Sequence, residues 1–186
     1  MQNIIKHMKK IILMKMFFAI VLLQNIDLKA QLPVDPDLKK IIYQEVVQQE
    51  GIKDTLYNRA ISWINKFFEN PQGITKVRDP ENGKIIGSYR MRMQDTLLDG
   101  SKTLSNTIVV CTFTIEAKDG RYRYTLDDFY VPGASKIPLE KWLDKTDPYY
   151  SPKYEDYLKQ VDQYVNRFIT SLKEGMQPPI IEVDEW

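Results

Sequence analysis

The segment Arg121–Tyr124 alternates arginine and tyrosine directly after an Asp-Gly dipeptide. Aromatic rings and basic groups together form the kind of platform on which single-stranded nucleic acid stacks. The same pattern is typical of one strand of a β-hairpin, in which successive side chains point to opposite sides. The two interpretations differ in one respect, because a platform needs the tyrosines and the arginines on the same side of the sheet.

A two-residue turn at Asp119-Gly120 pairs this strand with the one before it and decides between the two interpretations. Counting outward from the turn sets Glu116 opposite Arg123. Tyr122 and Tyr124 then lie on the apolar face, which we expect to be buried, and the arginines lie on the other face. The sequence therefore predicts a hairpin and no nucleic-acid partner.

Continued further, the same register sets Cys111 opposite Asp128 and Val109 opposite Tyr130, and so places an acid on the apolar face. Three interpretations stay open: a β-bulge near Asp127-Asp128 changes the register, Asp128 lies at the sheet margin near water, or it is a functional carboxylate. Adjacent acids in a strand point opposite ways, so these two are not the facing pair that glycoside hydrolysis requires.

The chain has one cysteine, Cys111, and one histidine, His7, which lies in the N-terminal segment. Loss of that segment would remove Ser-His-Asp and Cys-His catalysis and any zinc site built on imidazole. Cys111 lies on the apolar side of its strand, where we expect a buried structural side chain. The sequence also has no phosphate-binding glycine loop. We expect no cofactor, no metal and no enzymatic activity, with a hydrolase of Ser-Lys or Asp/Glu chemistry as the alternative.

Residues 1–30 have the three-part layout of a secretory signal peptide. A short basic stretch precedes the apolar run Ile11–Leu23, and Ala30-Gln31 offers a cleavage site. Lys15 leaves the apolar run too short to cross a bilayer, although an uncleaved anchor is the alternative. No cysteine stands near the cleavage site to carry a lipid. We expect a periplasmic or secreted protein with no transmembrane segment after signal cleavage.

Cleavage after residue 30 changes the charge of the chain. The leader takes five lysines and one aspartate with it, so 26 basic and 25 acidic residues become 21 and 24, and the net charge becomes −3. The remaining 156 residues suffice for one domain with its own core. A mildly acidic chain is a second argument against nucleic acid as a partner, since nucleic-acid binders carry a basic surplus.

The elements that must position these residues follow in the order strand, helix, four strands, helix. Apolar residues at helical spacing predict one helix within residues 52–70 and another within 151–175. The polar stretch 95–105 is interpreted as a connection between strands. We predict a two-layer α+β domain over residues 31–176, with an antiparallel five-stranded sheet and two helices on one face. Residues 177–186 are predicted to form a flexible C-terminal tail.

The stretch "KDTLYNRAISWINKFF", followed by "DPENGKIIGSYR" and preceded by a signal peptide, resembles the secreted bacterial family DUF4468, whose domain has a TBP-like fold. The resemblance spans residues 39–126, and the order of elements agrees with it as far as Gly175. It implies an exported bacterial protein with that fold. The family has no established activity, so the resemblance transfers no functional residues, and the name of the fold implies no DNA binding.

One face of the predicted sheet is left uncovered by the helices. Its predicted basic residues form a surface that we name the basic face: Arg90, Arg92, Lys118 and Arg123. Antiparallel sheets commonly have one solvated face, but these cations also suit docking of an acidic envelope protein or glycan. We expect a non-catalytic binding or interaction module at the bacterial cell envelope. The alternative is a structural or assembly protein whose tail, residues 177–186, contacts a neighbour.

Overall fold

The computed structural model describes residues 32–179. The predicted signal peptide lies outside the described residues, as do residues 180–186 of the predicted tail. The strands are β1 (Tyr43–Gln48), β2 (Thr75–Asp79), β3 (Lys84–Thr96), β4 (Lys102–Lys118), β5 (Arg121–Val131) and β6 (Ile137–Pro138). The helices are α1 (Lys53–Phe67), the short α2 (Pro71–Ile74) and α3 (Lys153–Gly175), with a 3-10 helix at Leu139–Leu143.

The strands form one antiparallel sheet in the order β1-β5-β4-β3-β2. β6 pairs with the end of β5. Because β4 pairs with one edge of β5 at Tyr130, β6 lies on the other edge, the same edge that pairs with β1 nearer the start of β5. The prediction of an α+β fold with the helices on one side is confirmed. The sheet has six strands where five were predicted, because a two-residue strand is too short to show an alternating pattern.

α1 and α3 cover the inner face of the sheet, as their apolar stripes predict. The helical residues that are buried against this face include Leu56, Ala60, Trp63, Ile64, Tyr157, Val161, Val165, Phe168 and Leu172. The ring of Phe168 joins the layers, since its centroid lies 4.9 Å from that of Trp63 and 5.4 Å from that of Phe113. Gly175 permits the close contact between the helices, because a Cβ there would lie 2.5 Å from the Trp63 ring.

The β4–β5 hairpin has the predicted register next to its turn. Lys118 pairs with Arg121, and the pairing continues without interruption to Phe113 and Leu126. All inward-facing members of this stretch are buried, in agreement with the alternation of apolar and polar residues. This part of the sheet is therefore specified by a local pattern that the sequence displays openly.

The tip of the hairpin is fastened to the start of α1. The Asp119 Oδ1 atom accepts a hydrogen bond of 2.7 Å from the backbone N–H of Lys53, the first residue of the helix. The N–H of Gly120 donates to the carbonyl of Gly51 over 2.9 Å. Gly120 has φ of 74°, a conformation that favours glycine. The side chain of the turn thus satisfies one of the helix donors that have no partner within α1.

A bulge changes the register farther from the turn, and the predicted pairs Cys111–Asp128 and Val109–Tyr130 are wrong. Tyr130 pairs with Val110 instead, after a register shift in the β4–β5 ladder. Asp128 has φ of 48° and an exposed side chain, and the residue after it takes the buried position. Of the three interpretations of this acid, the bulge is confirmed. The extra residue turns the carboxylate outward.

The predicted connection at residues 95–105 is also wrong in extent. β3 continues to Thr96 and β4 begins at Lys102, so that only residues 97–101 connect them. A second register shift, between Arg92 and Gln94, interrupts the β3–β4 ladder. Side chains in this extension lack the apolar alternation that marks a strand, because the two strands here project beyond the body of the core.

Candidate functional site

The basic face lies on the outer face of the sheet, the side away from α1 and α3. Arg90 and Arg92 belong to β3, Lys118 to β4 and Arg123 to β5, and all four are exposed. The prediction of which way these side chains point is correct. Each follows from the alternation of its own strand.

Tyr122 and Tyr124, the two tyrosines of β5 next to the hairpin turn, face the opposite way. Tyr122 is 1% and Tyr124 4% exposed, beneath the helices. The hydroxyl of Tyr124 donates to Glu45 Oε2 over 2.7 Å. Burial raises the pKa of Tyr122 to about 12. These rings share no surface with Arg121 or Arg123, so the aromatic and basic groups of β5 form no common stacking platform.

The four residues of the basic face do not form one cluster. Arg90 pairs with Val110 of β4, whereas Arg123 pairs with Glu116 of the same strand. Six residues of an extended strand separate these two positions, a distance of about 20 Å. Lys118 lies two residues farther along β4. The structure therefore divides the predicted surface into two parts, one at the hairpin end of the sheet and one near the middle of β4.

One part, which we name the basic end, contains the cations Lys84, Lys118, Arg121 and Arg123. They surround Glu116, which pairs across the sheet with Lys84 on one side and Arg123 on the other, and Lys84 also pairs with Asp79 of β2. Three of the four cations border a hollow of about 320 Å³ at the hairpin end of the sheet. Lys84 and Arg121 were not among the predicted residues, although their place in the alternation puts them on this face.

The contacts around Glu116 leave the basic end with an excess of positive charge. Arg123 donates through Nε and Nη2 to Glu116 Oε2 over 2.9 and 2.5 Å. Lys84 Nζ lies 3.8 Å from Glu116 Oε1. Within residues 32–179, neither Lys118 nor Arg121 has an ion-pair partner. Four cations thus face two carboxylates, Glu116 and Asp79, on a solvent-exposed surface.

Arg90 and Arg92 lie near the second bulge. The Arg92 Nε–H donates to the carbonyl of Ser105 over 3.0 Å, so its guanidinium group is held against the broken ladder. The Arg90 guanidinium makes no hydrogen bond or ion pair with any other residue in the described part of the chain. One of these two arginines is therefore available to a partner, and the other has a role in the fold.

A buried polar chain lies behind this bulge. The hydroxyl of Tyr157 donates to Asp95 Oδ1, and the hydroxyls of Ser105 and Tyr157 are hydrogen-bonded to each other over 2.8 Å. The bond from Tyr157 lowers the pKa of Asp95. Ser105 is 5% exposed and its Oγ also accepts from the N–H of Thr107 over 3.2 Å. This arrangement joins α3 to β3 and β4.

Gln160 of α3 bridges the broken ladder itself. Its amide Oε1 accepts from the backbone N–H of Gln94, and its Nε2 donates to the carbonyl of the same residue, each over 2.8 Å. Gln160 is 6% exposed. The side-chain amide takes the place of a neighbouring strand at the point where the β3–β4 register shifts.

Cys111 is fully buried in the core, as predicted. Burial among apolar side chains raises the pKa of its thiol well above the usual range. A thiol that stays protonated is neither a nucleophile nor a metal ligand. Its environment fits the structural role that the sequence predicts.

A concave site that sequence reasoning missed lies at the opposite end of the sheet from the basic end. We name it the aromatic groove; its volume is about 440 Å³ and its lining includes Trp142, Tyr149, Tyr150, Tyr154, Lys141 and Lys153. The 3-10 helix supplies the tryptophan, and the segment leading into α3 supplies the tyrosines. The signal for it in the sequence is the density of aromatic residues in "WLDKTDPYYSPKY".

No group of three or more His, Cys, Asp or Glu side chains within 32–179 is arranged to hold a metal ion. Among the helices of the same range, none has the length and apolar character needed to span a bilayer.

Comparison with known proteins matches residues 43–131 to the model of a family described as a domain of unknown function (DUF4468) with TBP-like fold. No curated protein matches the chain. A TBP-like protein from Parabacteroides distasonis has a similar structure, with a TM-score of 0.60 and 16% identity over 78% of this chain and 96% of that one. A DUF4468 family protein from Bacteroides ovatus gives 0.58 and 15%, over 77% and 90%.

These similarities agree with the topology of the sheet. At such low identities the solved structures establish the fold alone, and the matched segment runs from the start of β1 to the end of β5. Through the domain at residues 43–131, the chain belongs to the DUF4468 family of TBP-like fold.

Proposed function

We propose that the protein is an exported, non-catalytic interaction module that binds an acidic protein partner at the bacterial cell envelope through its basic end. The observation that carries the proposal is that four cations face two carboxylates, Glu116 and Asp79, on an exposed sheet face. Neither Lys118 nor Arg121 has an ion-pair partner within residues 32–179. Export rests on the signal-peptide pattern of residues 1–30. A partner that supplies carboxylates would complete the charge balance that the chain leaves open.

The spread of the basic end favours a macromolecule over a small ligand. Three of its cations border the hollow of about 320 Å³, but Lys84 lies outside that lining, and the four cations extend over β3, β4 and β5. A small molecule is enclosed by one concave site, so contact with all four cations suits a larger partner. Exposed charges on a sheet face are worth little as isolated pairs. They act by steering an oppositely charged partner and fixing its orientation, so the interaction is expected to weaken as salt rises.

The test uses poly-L-glutamate as a defined acidic polypeptide. A variant with Lys118→Glu, Arg121→Glu and Arg123→Glu removes the charge excess. The matched control carries Lys66→Glu, Lys102→Glu and Lys159→Glu, which make the same change of charge at exposed positions outside the basic end. We expect at least a tenfold loss of affinity for the first variant and less than a threefold loss for the control, measured by titration calorimetry at low salt.

The result that would overturn the proposal is equal binding by both variants, because it would assign the affinity to net charge alone. Circular dichroism of each variant confirms that the fold is retained. Arg90→Glu with Arg92→Glu tests the remaining half of the predicted basic face, and we expect a smaller loss there, since Arg92 is bonded to Ser105. Deleting residues 180–186 tests the tail, and binding that disappears with the tail would favour the assembly alternative.

An assay for hydrolase activity tests the enzymatic alternative to the proposed binding function. If the buried chain of Ser105, Tyr157 and Asp95 served a hydrolase, purified protein would cleave chromogenic esters, phosphates or glycosides. We expect no turnover above buffer. Turnover that Ser105→Ala abolishes would replace the binding proposal with an enzymatic one.

A further inference from the structure

The aromatic groove has no role in the function proposed above. It lies beside Val131, at the end of β5, whereas the basic end lies beside Arg121, at its start. Ten residues of extended strand separate the two positions, about 33 Å. The groove is therefore a separate site with its own chemistry.

The aromatic rings of the groove form a layered cluster with one ring outside it. Trp142 and Tyr154 are stacked, with centroids 4.6 Å apart and planes 7° apart. Tyr150 meets Tyr154 edge-on at 6.0 Å. Tyr149 is 88% exposed, so its ring makes little contact with the protein. An exposed large side chain beside a half-exposed aromatic cluster leaves apolar ring surface that a ligand can cover.

The groove also carries positive charge. Lys141 and Lys153 line it, and neither forms an ion pair with a carboxylate of the described residues. The Nζ atom of Lys153 lies 5.3 Å from the centroid of the Tyr157 ring. One acid, Asp147, also lines the groove, and its Oδ1 accepts from the N–H of Tyr149. The cations outnumber the acid, which favours an anionic ligand.

Shape and chemistry together narrow the class of ligand. A concave site of about 440 Å³ is of the size that encloses a small molecule or a short oligomer. Sugar rings present flat C–H surfaces that pack on tyrosine and tryptophan, and hydroxyl groups that bond to Ser135 and Thr107 at the margin. Lys141 and Lys153 form no salt bridge within residues 32–179, so they suit a sugar that carries its own carboxylates.

We propose that the aromatic groove binds a short acidic oligosaccharide, one whose sugar rings carry carboxylate groups. Tyr149 and Tyr154 contact the faces of the sugar rings. Lys141 and Lys153 bind the carboxylates. Dissolved salt screens such exposed charge pairs, so we expect the affinity to fall as the salt concentration rises.

The test compares trigalacturonate with its methyl ester, which keeps the rings and hydroxyls and removes the charge. By titration calorimetry at low salt we expect the full-length protein to bind the acid at least tenfold more tightly than the ester. Tyr149→Ala should weaken binding of both ligands at least tenfold. Lys141→Gln with Lys153→Gln should abolish the preference for the acid while leaving the ester unchanged.

Two controls separate this inference from the proposed function. The variant with Lys118, Arg121 and Arg123 changed to Glu should bind trigalacturonate like the parent protein, and Tyr149→Ala should leave binding of poly-L-glutamate unchanged. Equal affinity of the parent for acid and ester, or binding of trigalacturonate that survives Tyr149→Ala, would overturn the proposal. Tighter binding of adenosine monophosphate than of trigalacturonate would also overturn it, since it would assign the groove to nucleotides.

Discussion

The two ends of the long β3–β4–β5 ladder are built on different principles. At the hairpin end, around Asp119-Gly120, the β4–β5 pairing is uninterrupted from residue 118 back to residue 113. At the bulged end, the β3–β4 register shifts after Arg92 and the β4–β5 register shifts near Asp128. Many equivalent backbone bonds hold the first end, and a few side chains of α3 hold the second.

This difference affects both stability and the shape of the surface. A regular ladder distributes its stabilisation over many contacts, so that no single polar side chain is essential to it. A broken ladder leaves backbone groups that must find particular partners. Bulges also bend their strands. The hairpin end accordingly offers a charged face on regular strands, and the aromatic groove lies at the end of the sheet where the strands are irregular.

The largest effect is expected from Gln160→Leu at the bulged end. The substitution replaces the amide by an apolar side chain of similar size, and so leaves the N–H and carbonyl of Gln94 without their partner. We expect a loss of about 3 kcal/mol in the free energy of unfolding, measured by urea denaturation. Gln44→Leu on exposed β1 is the matched control, with a change within about 0.5 kcal/mol. Similar losses for the two variants would contradict the contrast between the ends.

Tyr157→Phe is expected to be next in size. It removes the hydroxyl that bonds Ser105 and Asp95, at a loss of about 1–2 kcal/mol at neutral pH. The pKa of Asp95 is lowered in the folded protein, so its contribution is present above the carboxyl's unfolded pKa of about 3.9 and is lost as pH falls through the lower, folded pKa. Below about pH 4 the difference between parent and variant should therefore shrink. A difference that stays constant from pH 7 to pH 3 would speak against this bond.

Gly120→Ala tests the turn at the hairpin end. Its φ of 74° is unfavourable for alanine, although a Cβ there would meet open space. We expect a loss of about 1 kcal/mol in thermal or chemical denaturation, with the hairpin retained. Gly133→Ala, at a position without positive φ, serves as the control and should change stability little.

The smallest effect on stability is expected from Arg123→Gln. The pair with Glu116 is exposed, the arginine side chain to 46%, and solvent screening limits such pairs to a few tenths of a kcal/mol. A double-mutant cycle with Glu116→Gln measures the coupling directly. A coupling above 1 kcal/mol would show that the basic end is tuned for stability, whereas a small value together with reduced binding of poly-L-glutamate would separate the two roles.

The hairpin end could be predicted residue by residue because its determinants are local. Alternation fixes the facing of Tyr122 and Arg123, and an Asp-Gly dipeptide fixes the turn. The separation of Arg90 from Arg123 could not be predicted in the same way, because it depends on the register between β3 and β4, which shifts between Arg92 and Gln94. The alternation of side chains along a strand predicts which face of the sheet a residue lies on, but it does not predict where along the sheet that residue lies.

The bulged end and the aromatic groove depend on contacts between distant parts of the chain. Gln160 is a polar residue within the apolar stripe of α3, and it is buried because its amide bonds the backbone of Gln94. These two residues are 66 positions apart in the sequence, so no local pattern indicates that they are partners. The groove combines the end of β5, a 3-10 helix and the approach to α3. Aromatic density marks the segment at 142–154, but only the folded chain brings it beside Val131.

The bonds between the hairpin tip and α1 decide where the protein tolerates insertions. Turns between strands are the customary sites for adding an affinity tag or a fluorescent label. Residues inserted at Asp119-Gly120, however, would remove the hydrogen bond from the Lys53 N–H to Asp119 and the one from Gly120 to Gly51. In the described structure the turn at 97–101 makes hydrogen bonds only within itself, and Leu98 at its tip is fully exposed. A tag placed there should leave both the core and the basic end intact.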